Sequence, residues 1–175
     1  MSYLFVPKDF KAPFQVKTEF GVVKKLTVKD AEKDYKAVMS NKEELRQVFC
    51  DNDDWPSDDM TLEENIEDLQ EHEQEFDNNE GFTYTILDPN EDVCIGCLYI
   101  FPFPHGVYDS RVFYWLIKEY KDIEMQLRDF IDQWLSDSFQ LNHPAYPGRD
   151  MSHTEWKKIV NAIKTTNNQN LGEIK

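Results

Sequence analysis

Apolar positions along this chain change period several times, and the changes mark out its elements. Val112 to Ile117 is an unbroken apolar run, as expected of a strand buried on both faces. After a short charged turn, Ile123, Leu127, Phe130, Ile131, Trp134 and Leu135 recur three or four apart and predict a long amphipathic helix. Two further β-type runs, Phe82 to Leu87 and Val93 to Phe101, flank Asp88-Pro89-Asn90-Glu91 and predict an antiparallel hairpin. Pro102, Pro104 and Gly106 break the chain before the third strand. Upstream, Val16 to Val28 reads as one strand with an irregularity near Gly21, and Ala31, Tyr35 and Val38 predict a helix over 30–39.

Three capping boxes, a serine or threonine followed three residues on by glutamate, predict helix starts. Ser40 to Glu43 opens a short helix to about Phe49. Thr61 to Glu64 opens one whose stripe is Leu62, Ile66, Leu69 and Phe76, ending before Gly81. Ser152 to Glu155 opens a last helix through about Ile163. A short strand centred on Ala145-Tyr146 lies beside the 111–117 strand if the intervening helix makes a right-handed crossover. Residues 1–15, with Pro7 and Pro13 between spaced aromatics, read as an extended arm over one domain at 16–164. The polar residues 165–175 read as a disordered tail.

Length fits a single domain, and charge then narrows the partners. The net charge is −15, and residues 41–80 hold sixteen acids against the two bases Lys42 and Arg46. Such a surface repels nucleic acid and anionic membrane and attracts a cationic ligand. No apolar run spans a bilayer and no secretion signal is present, so a cytoplasmic location is expected. With three cysteines, a disulfide framework is not expected. Cys94 and Cys97 have redox spacing, but residues three apart on a regular strand face opposite ways, so no metal or redox site is expected there.

Other metal patterns are incomplete. The loop at 51–59 has aspartates without the mid-loop glycine or distal glutamate of a calcium hand, and His72-Glu73 lacks the second histidine of a zinc protease helix. His105 and His143 sit beside prolines and read as surface residues. Nucleophile-elbow, P-loop and dinucleotide fingerprints are absent from the sequence.

Strand, two helical segments, three antiparallel strands, then a helix crossing to another strand is an order that resembles the GNAT (Gcn5-related N-acetyltransferase) superfamily. Three local patterns add to it. Val16-x-Thr18-x-Phe20 with Leu26-Thr27 and Asp30-Ala31 resembles the opening of the branch that acetylates ribosomal-protein N-termini. Tyr84 to Leu87 with Ile95-Gly96-Cys97 resembles the paired central strands, and Tyr114 to Leu127 resembles the fourth strand, phosphate loop and following helix. The likeness covers 16–148. It implies an α/β fold of the α+β kind, with a mixed, mostly antiparallel sheet flanked by helices.

The resemblance also implies acetyl-CoA as cofactor. Its pantetheine arm would pair with the fourth-strand backbone, and its pyrophosphate would sit on a Q/R-x-x-G-x-G/A loop. On this chain the implied cofactor residues are Leu116, Ile117, Lys118, Lys121, Asp122, Ile123, Glu124, Met125 and Gln126, with Glu119 and Tyr120 matching the residues before the motif. Lys121 takes the Q/R position, Glu124 stands at the first glycine and Gln126 at the glycine/alanine position. A carboxylate ~5 Å from a phosphate, at an effective dielectric of ~20, repels it by about 3 kcal/mol. As the acid of a helix first turn, Glu124 is by contrast well placed.

For acetyl transfer to an amine, the likeness implies an amide at Leu116 or Ile117 to polarise the thioester carbonyl. It implies Tyr146 as the acid and Glu119, Asp53 or Asp54 as base candidates. Trp55, Tyr99, Tyr114 and Trp115 are aromatic candidates for an acceptor groove. Two functions follow: an N-acetyltransferase acting on a small or peptidic, cationic primary amine, or a non-catalytic GNAT-like binding domain with a closed cofactor groove. They differ at the 118–126 turn: free amides and splayed strands favour the enzyme, and Glu124 or an aromatic filling the gap favours the binding domain.

Overall fold

The computed structural model describes residues 5–49, 54–103 and 106–172, with side chains to 166. Asp53, Cys50 and His105 lie outside the described residues. The elements are β1 (Gln15–Lys17), β2 (Val22–Lys25), α1 (Ala31–Ser40), α2 (Lys42–Leu45), α3 (Leu62–Asp77), β3 (Phe82–Leu87), β4 (Cys94–Pro102), β5 (Ser110–Leu116), α4 (Glu124–Trp134), β6 (Pro144–Ala145) and α5 (His153–Gly172). The strands form one six-stranded sheet in chain order. Every pairing is antiparallel except β5 with β6.

Pairing register sorts the sheet's side chains onto two faces. Tyr84, Leu98 and Tyr114 are cross-strand partners, and Tyr84 meets Trp134 of α4 with ring centroids 4.9 Å apart. Trp134 also stacks on Phe130 and packs edge-on against Phe139, so α4 is held by an aromatic cluster. Each such pair contributes about 0.5–1.5 kcal/mol beyond its burial. The opposite face carries Thr85, Cys97 and Trp115, then Thr83, Tyr99 and Phe113, and is covered by α1 and α3. Residues 5–14 cross the α4 face, where Phe5 and Phe10 pack on Phe82 and the Tyr84 hydroxyl donates to the Pro13 carbonyl at 2.8 Å.

Four local expectations need correction. Val16 to Val28 is a hairpin rather than one strand: Thr18 Oγ1 donates to the Gly21 carbonyl and accepts from the Phe20 and Gly21 amides, turning the chain between β1 and β2. Ser40 does not cap a second helix; it ends α1, and its hydroxyl donates to the Ala37 carbonyl. The last helix runs past Ile163 to Gly172. Finally, Cys94 and Cys97 do not face opposite ways. The register slips between Ile86 and Leu87, which pair with Gly96 and Cys94, and the extra residue Ile95 turns both sulfurs to the α1 side. By contrast, the Thr61–Glu64 capping box forms as expected. No helix among the described residues is long and apolar enough to cross a membrane.

Gly96, on β4, pairs with Leu116 and packs directly against the backbone of β5. A Cβ there would meet the Trp115 carbonyl oxygen at 2.1 Å, and backbone cannot yield as a side-chain tip can. Gly96→Ala is therefore expected to destabilise the protein by about 3 kcal/mol or more, read as a lower urea midpoint at unchanged m-value; an unchanged midpoint would contradict this packing.

Candidate active site

Parallel strands β5 and β6 pair only at Ser110–Pro144 and Arg111–Ala145. Beyond that point they part. Pro147 has no amide to donate, and the chain bonds to itself: the Arg149 and Asp150 amides donate to the Tyr146 carbonyl and the Gly148 amide to Met151. The edge of β5 from Val112 to Leu116 therefore lacks a strand neighbour on its β6 side. Along a strand, amide and carbonyl of alternate residues point the same way. Because the Ile117 amide donates back to Ile95 on β4 while the Tyr114 carbonyl reaches Arg149 across the gap, Val112, Tyr114 and Leu116 are the residues whose backbone faces the cleft.

At the far end of β5 the charged turn is a 3-10 helix, Lys118–Ile123, leading into α4. Its amides are not bare. Lys118 donates to Asn41 Oδ1 at 3.1 Å, Tyr120 to the Ile117 carbonyl and Glu124 to the Lys121 carbonyl. Lys121 is paired with Glu44. Glu124 opens α4, and its carboxylate accepts from Arg149 Nη1 at 3.0 Å. Arg149 Nη2 donates to the Tyr114 carbonyl at 2.9 Å, and the guanidinium lies 3.5 Å over the Tyr114 ring. The cleft thus opens as an unpaired strand edge and is bridged near its middle by one arginine.

A second space lies on the α1 side of the sheet. It is a cavity of about 200 Å³ walled by Phe49, Trp55, Tyr99 and Phe101, with Asp34, Asp68 and His72 among its polar residues. Next to it is an acidic depression of about 480 Å³ that shares Trp55 and Asp68 and adds Asp54, Glu64 and Glu67. Among the described residues, neither lining contains a lysine or an arginine. Burial raises the Asp34 carboxyl pKa despite hydrogen bonds from Asn65 and Cys97, and burial likewise raises that of Asp68 despite the Trp55 indole. His72 Nδ1 is held by Glu75 at 3.1 Å and Thr83 at 3.3 Å.

Lys42 and Arg46 both pair with Asp58 and hold its carboxyl down to about 2, while Arg46 also donates twice to the Pro56 carbonyl. The two bases of the acidic segment therefore anchor the loop that presents Trp55. One wall separates the two spaces. Val48 and Phe113 line the cleft side, and Phe49 lines the cavity with its ring centroid 5.1 Å from that of Phe113.

Of the aromatic candidates, Trp55 and Tyr99 meet in the cavity, whereas Tyr114 stands in the cleft under Arg149 and Trp115 is buried, donating to the Tyr99 hydroxyl. Tyr146 lies at the fork beside Tyr114; its hydroxyl donates to Asp132 Oδ1 at 2.6 Å, and burial raises its phenol pKa. Glu119, Lys118, Asp122, Met125 and Gln126 are exposed on the turn and first helical turn, with Lys121 and Ile123 half-buried. Asp54 lines the acidic depression, and His143 is exposed.

Asp34, Asp68 and Arg149 were not singled out from sequence, and His72 was considered only as part of an incomplete zinc motif. Asp34 sits three after Ala31 and four before Val38, and Asp68 and His72 flank the Leu69 stripe, so polar residues interrupting an apolar helix face were the available signal. Asp34, Cys94 and Cys97 also bring ligand atoms within 4.8 Å of one another. Burial raises the pKa of Cys97 as it does that of Asp34, and the thiol donates to Asp34 Oδ1 at 3.4 Å, which describes a neutral hydrogen-bonded cluster.

A mostly antiparallel sheet whose last pair is parallel and splays beside a helix start is the GNAT acetyltransferase fold, and the chain has that fold. It is similar to the ribosomal-protein-S5-alanine acetyltransferase of Vibrio fischeri, with a TM-score of 0.62 at 20% identity over 86% of this chain and 82% of that one. A Salmonella typhimurium acetyltransferase that modifies the N-terminal serine of ribosomal protein L7/L12 matches with a TM-score of 0.54 at 14% identity, over 70% of this chain and 68% of that one. The microcin C7 self-immunity acetyltransferase MccE, solved with acetyl-CoA and AMP, matches with a TM-score of 0.56 at 13% identity, over 69% and 63%. No protein-family model and no curated protein matches the sequence.

The cavity carries a measurable signature. Below the ordinary carboxyl value of 3.8, Asp34 is protonated in both folded and unfolded chains. Above it, the unfolded chain loses a proton that the folded chain holds, so the native state is progressively disfavoured until pH passes the raised folded value. Asp34→Asn removes that penalty. Its urea midpoint is expected to exceed that of the wild type at pH 8, with the gap shrinking as pH falls toward 3.8; a constant offset would mean that Asp34 is not held protonated.

Proposed function

We propose that the protein is an acetyl-CoA-dependent N-acetyltransferase whose acceptor is a cationic primary amine, small or peptidic. The observation that carries this reading is the adjacency of an unpaired strand edge and an acidic, aromatic-walled cavity across one wall of side chains. The same fold in acetyltransferases of ribosomal proteins, one of which modifies an N-terminal serine, supports it.

The residues present fit the cofactor in part. The backbone of Val112, Tyr114 and Leu116 suits an extended amide-bearing arm, while the turn at Lys118 to Glu124 uses its own amides and meets an anion with Arg149 instead. When bound, acetyl-CoA supplies the acetyl group as an activated thioester. The chain's groups do the rest. Of the two amides named for polarising the carbonyl, Leu116 faces the cleft and Ile117 is engaged by Ile95.

Asp68 and the acidic depression beside it attract the ammonium, and the aromatic walls exclude water and stabilise the cation by their ring faces. His72, fixed through Nδ1 by Glu75 and Thr83, is the group placed to take the ammonium proton. Tyr146, at the fork, is the acid named for the leaving sulfur; its hydroxyl donates to Asp132 Oδ1 and must leave that partner to serve.

Acetyl-CoA at 100 times its dissociation constant should stabilise the protein by ~2.7 kcal/mol, a rise of several degrees in Tm. In an assay of free thiol release with amine-bearing peptides, Asp68→Asn is expected to raise the acceptor KM about tenfold and leave the cofactor-induced Tm shift unchanged. The acceptor KM should fall as pH rises through the raised carboxyl range of Asp68, because its carboxylate forms only there. Absence of both a Tm shift at millimolar acetyl-CoA and any thiol release would instead point to the non-catalytic binding domain.

A further inference from the structure

Arg149 belongs to a turn with a rigid mounting. Gly148 has φ +81°, and a Cβ on it would stand 2.5 Å from His153 Nε2. His153 is itself buried and donates to the Gln47 carbonyl at 2.8 Å, tying the start of α5 to the segment after α2. From this mounting the guanidinium crosses the gap between the two diverging strands. It donates to the outward carbonyl of Tyr114, which an extended amide-bearing ligand would otherwise engage, and to the carboxylate of Glu124, the first residue of α4.

The carboxylate it meets is only weakly held. Glu124 is 38% exposed and Arg149 26%, and such a pair contributes less than about 1 kcal/mol. A diphosphate carries more charge and more acceptor oxygens, and a guanidinium binds it through paired hydrogen bonds. Arg128 behaves differently. Asp150 holds it by two bonds of 2.9 and 2.8 Å and Asp132 by a third of 3.0 Å, so its guanidinium stays on the Tyr146 ring.

We infer that Arg149 is the receptor for a diphosphate in this cleft and that Glu124 is a built-in competing anion which such a ligand must displace. The glycine amides that the 118–126 turn lacks are replaced by one arginine side chain, and the same exchange that seats the ligand releases the Tyr114 carbonyl. This inference deepens the transferase reading and rests on it for the identity of the natural ligand, coenzyme A or its acetyl ester.

Calorimetric titration with coenzyme A and, separately, with inorganic pyrophosphate tests it on the full chain. Glu124→Gln is expected to bind coenzyme A about tenfold or more tightly than the wild type, and Arg149→Gln about tenfold or more weakly. Arg149→Lys, which keeps the charge but not the fork, should fall between, and the gain from Glu124→Gln should vanish when Arg149→Gln is added. Melting curves confirm that each variant is folded. Equal coenzyme A affinity in folded wild type and Arg149→Gln would overturn the inference. If coenzyme A binds to none of the proteins but pyrophosphate binds Glu124→Gln and not the double variant, the anion receptor stands and the transferase reading falls. If neither ligand binds Glu124→Gln, both fall.

Discussion

The two-residue parallel ladder between β5 and β6 is the constraint on which the rest of the structure turns. It is short because of what surrounds it. The Asp109 carboxylate accepts from the Asn142 and His143 amides at 2.8 and 2.9 Å and fixes where the returning chain enters. Two residues after Ala145 comes a proline, and the backbone then satisfies itself in a local turn. A strand edge with outward carbonyls is normally a liability, prone to pairing with another chain. Here the half-buried guanidinium of Arg149 covers part of it.

The opposite face of the sheet solves a different problem. Asp34, Asn65, Asp68 and His72 project from α1 and α3 toward a cavity whose other walls are aromatic. A buried carboxylate without a cation is unfavourable, and the raised carboxyl pKa values of Asp34 and Asp68 express that. The acidic segment at 41–80 has only two bases, and both hold Asp58. What remains is a site short of positive charge, whereas the cleft on the other side of Phe49 and Phe113 is bridged by Arg149.

Period and punctuation carried much of the fold. The strands at 82–87, 93–101 and 111–117, the α3 stripe and the Thr61 cap were all legible, because each is decided by neighbours within a turn or a pleat. Errors arose where one residue changes register or partner. The extra Ile95 rotated Cys94 to the face of Cys97, and Thr18 folded an apparent strand into a hairpin. In the site, Trp55 and Tyr99 were named for their residue type and meet in the cavity. Arg149 carried no signal at all, since nothing in the local pattern Tyr146-Pro147-Gly148-Arg149 points to Tyr114 or Glu124.

By itself, then, the sequence determined the elements, their order, the place of the acidic surplus and the missing glycines of the 118–126 turn, since these depend on composition and spacing alone. Tertiary structure decided which groups face one another: that β5 and β6 part after Arg111, that Asp34 and Asp68 share a cavity with Trp55, and that Glu124 meets Arg149 from the far side of a cleft. The physical reason is distance along the chain. Contacts between residues 25 or more apart, such as Arg149 with Glu124 and with Tyr114, are set by packing of whole elements, which no local period encodes.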